Sequence, residues 1–179
     1  MRALLVNPEF PNSYWSGRGA LRFARRRSLL PPLGLITVAG LLPRDWDCRL
    51  VDLNVEPLTD AELDQAEVVL LTGMLVQRPS MHEVIGRCRA RGRRTVIGGP
   101  AVTALPDSFA AADHLVLGEA EDLVPVLAAD LEAGRARRTY REEAKPDLTA
   151  APPPRYDLLR VADYHQLCLQ YSRGCPFTC

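Results

Sequence analysis

The sequence predicts a doubly wound α/β domain on a parallel sheet, and three observations carry that prediction. Short apolar runs recur along the chain, each ending in small or polar residues. Leu4-Leu5-Val6, Val68-Val69-Leu70-Leu71 and Leu115-Val116-Leu117 are continuous, with no polar alternation. Unbroken runs of this kind suit strands covered on both faces, as in a parallel sheet flanked by helices. Segments with helical spacing lie between the runs, so strand and helix alternate.

The predicted strands are 3–7, 49–54, 68–73, 95–99 and 114–118. Between the first two, a helix is expected over 32–42. Pro32 is tolerated in its first turn, Leu33, Ile36, Val38, Leu41 and Leu42 supply an apolar side, and Pro43 stops it. A shorter, weaker helix is expected over 59–65. The helix over 79–91 carries Val84, Ile85 and Cys88, with arginines in its last turn and Gly92 after it. The helix over 121–132 opens with acids, carries Leu123, Val124, Leu127 and Leu131, and precedes Gly134. Right-handed crossovers give five strands in the order 2-1-3-4-5, a Rossmann- or flavodoxin-like sheet.

The character changes after Gly134. Pro146, Pro152, Pro153 and Pro154 fall in a stretch of mixed charge and weak periodicity. The expected organisation is an α/β domain over 1–134, a linker over 135–166 and the start of a second domain over 167–179. Within it, 156–159 is expected to pack back on the domain and 168–172 to form one more strand.

Composition narrows the function classes. Lys plus Arg and Asp plus Glu each number 22, so the formal net charge is zero. That argues against a broadly basic nucleic-acid surface. Four arginines crowd into 22–27 and read as a solvated face or an anion contact. No run reaches the roughly 20 apolar residues of a membrane span. The N-terminus reads as a strand and not a signal peptide. The five cysteines show no disulfide spacing, so reduced thiols and a cytoplasmic location are expected.

Open parallel sheets hold ligands beyond the carboxyl ends of their strands. Here those ends are Asn7-Pro8-Glu9, Thr72-Gly73-Met74, Gly98-Gly99-Pro100 running on to Thr103, and Gly118-Glu119. One glycine alone is a tight turn; glycines at three consecutive strand ends point to a bound cofactor. The sequence lacks a dinucleotide fingerprint after the first strand and a Walker A loop, which argues against nicotinamide cofactors and ATP.

The tail Ser172-Arg173-Gly174-Cys175-Pro176-Phe177-Thr178-Cys179 spaces two cysteines as Cys-x-x-x-Cys. With Pro-Pro-Leu-Gly-Leu at 31–35, Asp52-Leu53-Asn54 and the glycine-bearing strand ends, the chain resembles the N-terminal cobalamin-binding domain of radical-SAM enzymes. The likeness covers about residues 3–134, and the tail resembles the opening of the radical-SAM Cys-x-x-x-Cys-x-x-Cys motif.

The resemblance implies that the corrin nucleotide tail slots between the sheet and its helices. Thr72, Gly73 and Met74 would line one wall and Gly98, Gly99 and Pro100 the other. Gly118 and Glu119 would lie near the buried base, with Asn7, Pro8 and Thr103 completing the cofactor set. Cys175 and Cys179 would be two of three thiolate ligands of a 4Fe–4S cluster, which soft anionic sulfur stabilises. The third would fall at position 182, beyond the chain, so a truncated barrel or a separately encoded one is expected. The complete relative would cleave S-adenosylmethionine to a radical and use cobalamin in chemistry such as methyl transfer to unactivated carbon. This chain alone would not run that reaction.

Mutases and methionine synthases carry Asp-x-His-x-x-Gly after the first strand, whose histidine ligates cobalt; 7–19 holds no histidine here. His82, His114 and His165 read as structural, so the implied cobalamin has no lower histidine ligand. Two readings stay open beside this one. One is a non-catalytic interaction module on the same fold; the other is a flavin- or nucleotide-binding protein.

Overall fold

The computed structural model describes residues 1–13 and 17–174. Its centre is a parallel sheet in the order β2-β1-β3-β4-β5-β6. The strands are β1 (Arg2–Asn7), β2 (Asp47–Asp52), β3 (Val68–Thr72), β4 (Arg94–Gly98), β5 (His114–Leu117) and β6 (Thr139–Arg141). The helices are α1 (Arg18–Leu21), α2 (Leu33–Leu41), α3 (Asp60–Gln65), α4 (Arg78–Ala90), α5 (Pro100–Ala104) and α6 (Leu123–Glu132).

Successive side chains of a strand point to opposite faces, so an unbroken apolar run feeds two cores at once. Leu4, Val6, Val69, Leu71 and Ile97 pack with Leu63 of α3, Met81, Val84, Ile85 and Cys88 of α4, and Val102 of α5. Ala3, Leu5, Val68, Leu70 and Val96 pack on the other face with Leu35 and Ile36 of α2 and Leu127 and Leu131 of α6. Register keeps these layers level, with Leu5 beside Leu50 and Leu70, and Leu70 beside Val96.

Local chemistry sets the ends of the elements. Thr59 accepts from the Glu62 amide while the Glu62 carboxylate accepts from the Thr59 amide, a reciprocal cap that starts α3. Pro79 lies in the first turn of α4, and Gly92 takes a φ of 62° just past its end. Inside α2, the Thr37 hydroxyl donates to the Leu33 carbonyl at 2.9 Å and so satisfies itself.

The structure differs from the expectation in three places. The sheet has a sixth strand, in what composition marks as linker. Tyr140 of β6 is buried, and its hydroxyl donates to Asp130 Oδ2 at 2.9 Å. Arg137 stacks over its ring at 4.5 Å, while Arg135 pairs with Asp130 at 2.9 Å. One buried aromatic in a three-residue strand supplies too little periodicity to stand out from its charged neighbours. Second, Pro100–Ala104 closes into the short helix α5 where a loop is expected. Third, 168–172 forms no strand: Leu169 and Tyr171 are almost fully exposed.

The rest of 135–166 is also tied down. The Arg155 amide donates to the Ile36 carbonyl at 2.9 Å, and Tyr156, Leu158 and Leu159 pack against the α2 face. Tyr164 bridges to Ser28, and its hydroxyl donates to Asp52 Oδ2 at 3.0 Å. The arginine run at 22–27 serves this docking. Arg26 donates to the Ala162 carbonyl, and Arg27 donates its amide to the Asp163 carbonyl and pairs with the Asp163 carboxylate at 3.5 Å.

Candidate functional site

A cavity of about 540 Å³ opens at the carboxyl ends of β3, β4 and β5, on the α2–α6 face of the sheet. Its size falls within the roughly 300–1,000 Å³ of small-molecule sites. Leu33, Gly34, Thr37 and Val38 of α2 form one side, and Val124 of α6 contributes to the other. The floor is sheet: Leu70, Val96 and Val116. Thr72, Gly98, Gly99, Pro100, Gly118, Glu119 and Glu121 ring the strand ends.

The glycines shape this rim for separate reasons. A Cβ on Gly98 would sit 3.2 Å from the Val116 carbonyl oxygen, so glycine keeps the floor open beside β5. Gly99 has a φ of 90°, and a Cβ there would run into the Thr72 hydroxyl. The Gly118 amide donates to Thr103 Oγ1 at 3.1 Å, and the Glu119 amide to Glu142 Oε2 at 3.0 Å, which pins the turn after β5. Gly34 is different: it lines the cavity, and a Cβ there meets nothing within 4 Å.

Six of the expected cofactor residues therefore line the cavity: Thr72, Gly98, Gly99, Pro100, Gly118 and Glu119. Thr103 does not line it; its hydroxyl oxygen accepts from the Gly118 amide. Asn7 is buried and donates to Asp52 Oδ1 at 2.9 Å, and the Pro8 carbonyl accepts from Gln77 Nε2 at 2.6 Å. Gln77 Oε1 in turn accepts from the Met74 amide at 2.9 Å, linking the ends of β1 and β3. Gly73 leaves room for Met81, whose sulfur a Cβ would meet at 2.7 Å. Met74, Leu75 and Val76 form an exposed apolar shelf at the end of β3.

Sequence reasoning missed the α2 side of the cavity and the carboxylate Glu121. Gly34 lies in the Pro-Pro-Leu-Gly-Leu segment, a signal present but not assigned to a wall. Glu121 is 7% exposed, and neither carboxylate oxygen has an aligned hydrogen bond. Its counter-charge is Arg173 Nη1, 2.5 Å from Oε1, which also lies 3.0 Å from Glu119 Oε2.

The histidines stand away from the rim. His82 of α4 stacks on Phe109 with ring centroids 5.1 Å apart, and His114 Nδ1 pairs with the Arg137 carbonyl. Burial pushes the Cys88 thiol up to about 11, which fits a core thiol and not a metal ligand. No group of three or more His, Cys, Asp or Glu fit for a metal occurs among the described residues. Cys175 and Cys179 lie outside them. No helix among the described residues is long and apolar enough to cross a membrane.

Comparison with known proteins decides the family. The family described as "B12 binding domain" matches residues 19–128, which include α2, the first part of α6 and every strand end on the cavity rim. The chain belongs to the B12-binding domain family. An uncharacterized methyltransferase of Synechocystis sp. is 49% identical over 181 residues, covering 100% of this chain and 34% of that protein. The hopanoid C-2 methylase of Rhodopseudomonas palustris is 33% identical over 156 residues, 85% of this chain and 30% of the relative. The bacteriochlorophyllide d C-12(1)-methyltransferase of Chlorobaculum tepidum is 25% identical, with 98% and 38% covered. The chain thus spans about a third of the length of these curated relatives.

Proposed function

We propose that this B12-binding domain holds cobalamin by its nucleotide tail in the α2–α6 cavity, as the cofactor-carrying part of a methyltransferase. The observation that carries the reading is the cavity itself: a pocket floored by Leu70, Val96 and Val116, at the strand ends where the family match falls. A flat aromatic base suits such apolar walls, and the Thr72 hydroxyl and the Thr37 oxygen, which can still accept, supply polar partners for the sugar. Bound cobalamin would supply a methyl carrier. The chain's own residues would anchor the tail in the cavity and leave the corrin outside it. No histidine of this chain is proposed as a cobalt ligand.

The methyltransferase names of the relatives and the Ser-Arg-Gly-Cys-Pro-Phe-Thr-Cys tail support the wider setting, a radical-SAM enzyme with a 4Fe–4S cluster on Cys175, Cys179 and a third thiolate. Its substrate would be read by residues of the larger protein.

Gly34→Leu tests the cavity without disturbing the fold. The new side chain enters open space, and replacing a helical glycine stabilises by up to about 1 kcal/mol. The expected result is unchanged or raised stability with loss of methylcobalamin retention on a sizing column. Equal retention by wild type and variant would refute the assignment.

A further inference from the structure

The cavity is not closed by the α/β domain alone. Gln170, Ser172, Arg173 and Gly174 line it as well, although this segment has no regular structure and its neighbours Leu169 and Tyr171 face solvent. Among the described residues, Arg173 makes the side-chain contacts that tie 170–174 to the turn after β5, while the Tyr156 hydroxyl donates to the Cys168 carbonyl just before it. Arg173 is only 22% exposed, donates from Nε to Gln170 Oε1 at 2.9 Å, and places Nη1 against Glu119 and Glu121 together. The acceptors are fixed in advance, because Glu142 and Thr103 pin the turn that carries them. Glu121 needs this contact most. A carboxylate buried without a counter-charge is costly, and neither of its oxygens has an aligned hydrogen bond.

We propose that Arg173 is a positioning residue that latches segment 170–174 across the cobalamin cavity through Glu119 and Glu121, so that cofactor occupancy and placement of 170–174 are coupled. This rests on the cobalamin reading above. Arg173 stands two residues before Cys175. A ligand that packs against the latched segment stabilises the latched state, and by linkage the latched state raises affinity for the ligand. Filling the cavity then orders 170–174, and docking of that segment holds the cofactor in.

The test combines hydrogen exchange of 167–174 with equilibrium dialysis of methylcobalamin in the dark, on wild type, Arg173→Met, Glu121→Gln and the double variant. Arg173 lies outside both cores and Glu121→Gln is nearly isosteric, so each variant is expected to keep the wild-type circular dichroism. In wild type, methylcobalamin is expected to slow exchange in 167–174. Arg173→Met is expected to abolish that protection and weaken binding about tenfold, a readily measured step. Glu121→Gln should shift both in the same direction, and the double variant should be no worse than the worse single one, as for two partners of one contact.

Unchanged affinity and protection in Arg173→Met would overturn the latch, and so would additive losses in the double variant. Failure of wild type to bind methylcobalamin would instead sink the cobalamin reading. The latch is then still decided by the free proteins: faster exchange of 167–174 in Arg173→Met supports it, and equal exchange refutes it.

Discussion

Replacing Tyr164 by Phe removes one hydroxyl and tests whether the proline-rich segment belongs to the domain. Asp52 is 2% exposed, at the end of β2, and its carboxylate is surrounded by donors. Oδ1 accepts from Asn7 Nδ2 at 2.9 Å, the Asn54 amide at 2.9 Å and Asn54 Nδ2 at 2.7 Å. Oδ2 accepts from the Tyr164 hydroxyl at 3.0 Å. Hydrogen bonds to charged groups contribute about 1.5–3 kcal/mol, so Tyr164→Phe is expected to lower stability at neutral pH by that much. Urea unfolding followed by circular dichroism measures it.

The same contact gives a pH signature. Burial, followed by the charge of Asp52 and its hydrogen bond, holds the Tyr164 phenol well above its ordinary value. In the unfolded chain the phenol ionises near pH ~10, while in the folded protein it keeps its proton. The unfolded state then binds fewer protons, so this contribution is full below about pH 10 and declines as pH rises. Between about pH 10 and 11 the stability gap between wild type and Tyr164→Phe should narrow by about 1 kcal/mol. Taking the difference cancels the alkaline titration of Cys48 and Cys88, both raised by burial. A neutral-pH gap under about 0.5 kcal/mol, within the ordinary range of surface substitutions, with parallel curves above, would refute the docking of 155–164.

Three further outcomes are expected. Gly99→Ala places a Cβ against the Thr72 hydroxyl at a φ of 90°, and should cost about 2–3 kcal/mol in urea unfolding as well as weakening cobalamin retention. Thr59→Ala removes the α3 cap and should cost about 1 kcal/mol with no effect on cobalamin retention. His82→Ala, which loses only a ring stack on Phe109, should leave the visible spectrum of bound hydroxocobalamin unchanged, whereas a changed spectrum would make His82 a cobalt ligand.

The sheet was legible because its strands are buried on both faces, so Val68-Val69-Leu70-Leu71 reads as strand with no knowledge of its neighbours. The rim glycines were legible for a similar reason: a strand end followed by Gly98-Gly99 needs a turn wherever it occurs. What stayed hidden depends on contacts far apart in sequence. Tyr140 becomes a strand residue only because Asp130 and β5 receive it, and Tyr164 docks only because Asp52 awaits its hydroxyl. The expected site mixed two environments. Thr72, Gly98, Gly99 and Gly118 line the cavity, while Asn7 and Pro8 are engaged by Asp52 and Gln77, partners that local spacing does not reveal. Arg173 belongs to the same class: its position beside Glu119 and Glu121 joins the chain's last described segment to the turn after β5.

The most direct test of the central claim compares methylcobalamin with methylcobinamide, which carries the corrin but lacks the nucleotide tail, by equilibrium dialysis against the wild-type chain. If the cavity seats the tail, methylcobalamin is retained and methylcobinamide binds at least about a hundredfold more weakly, a difference of roughly 2.8 kcal/mol. Equal binding of the two would contradict the account, because the corrin would then be held without the cavity.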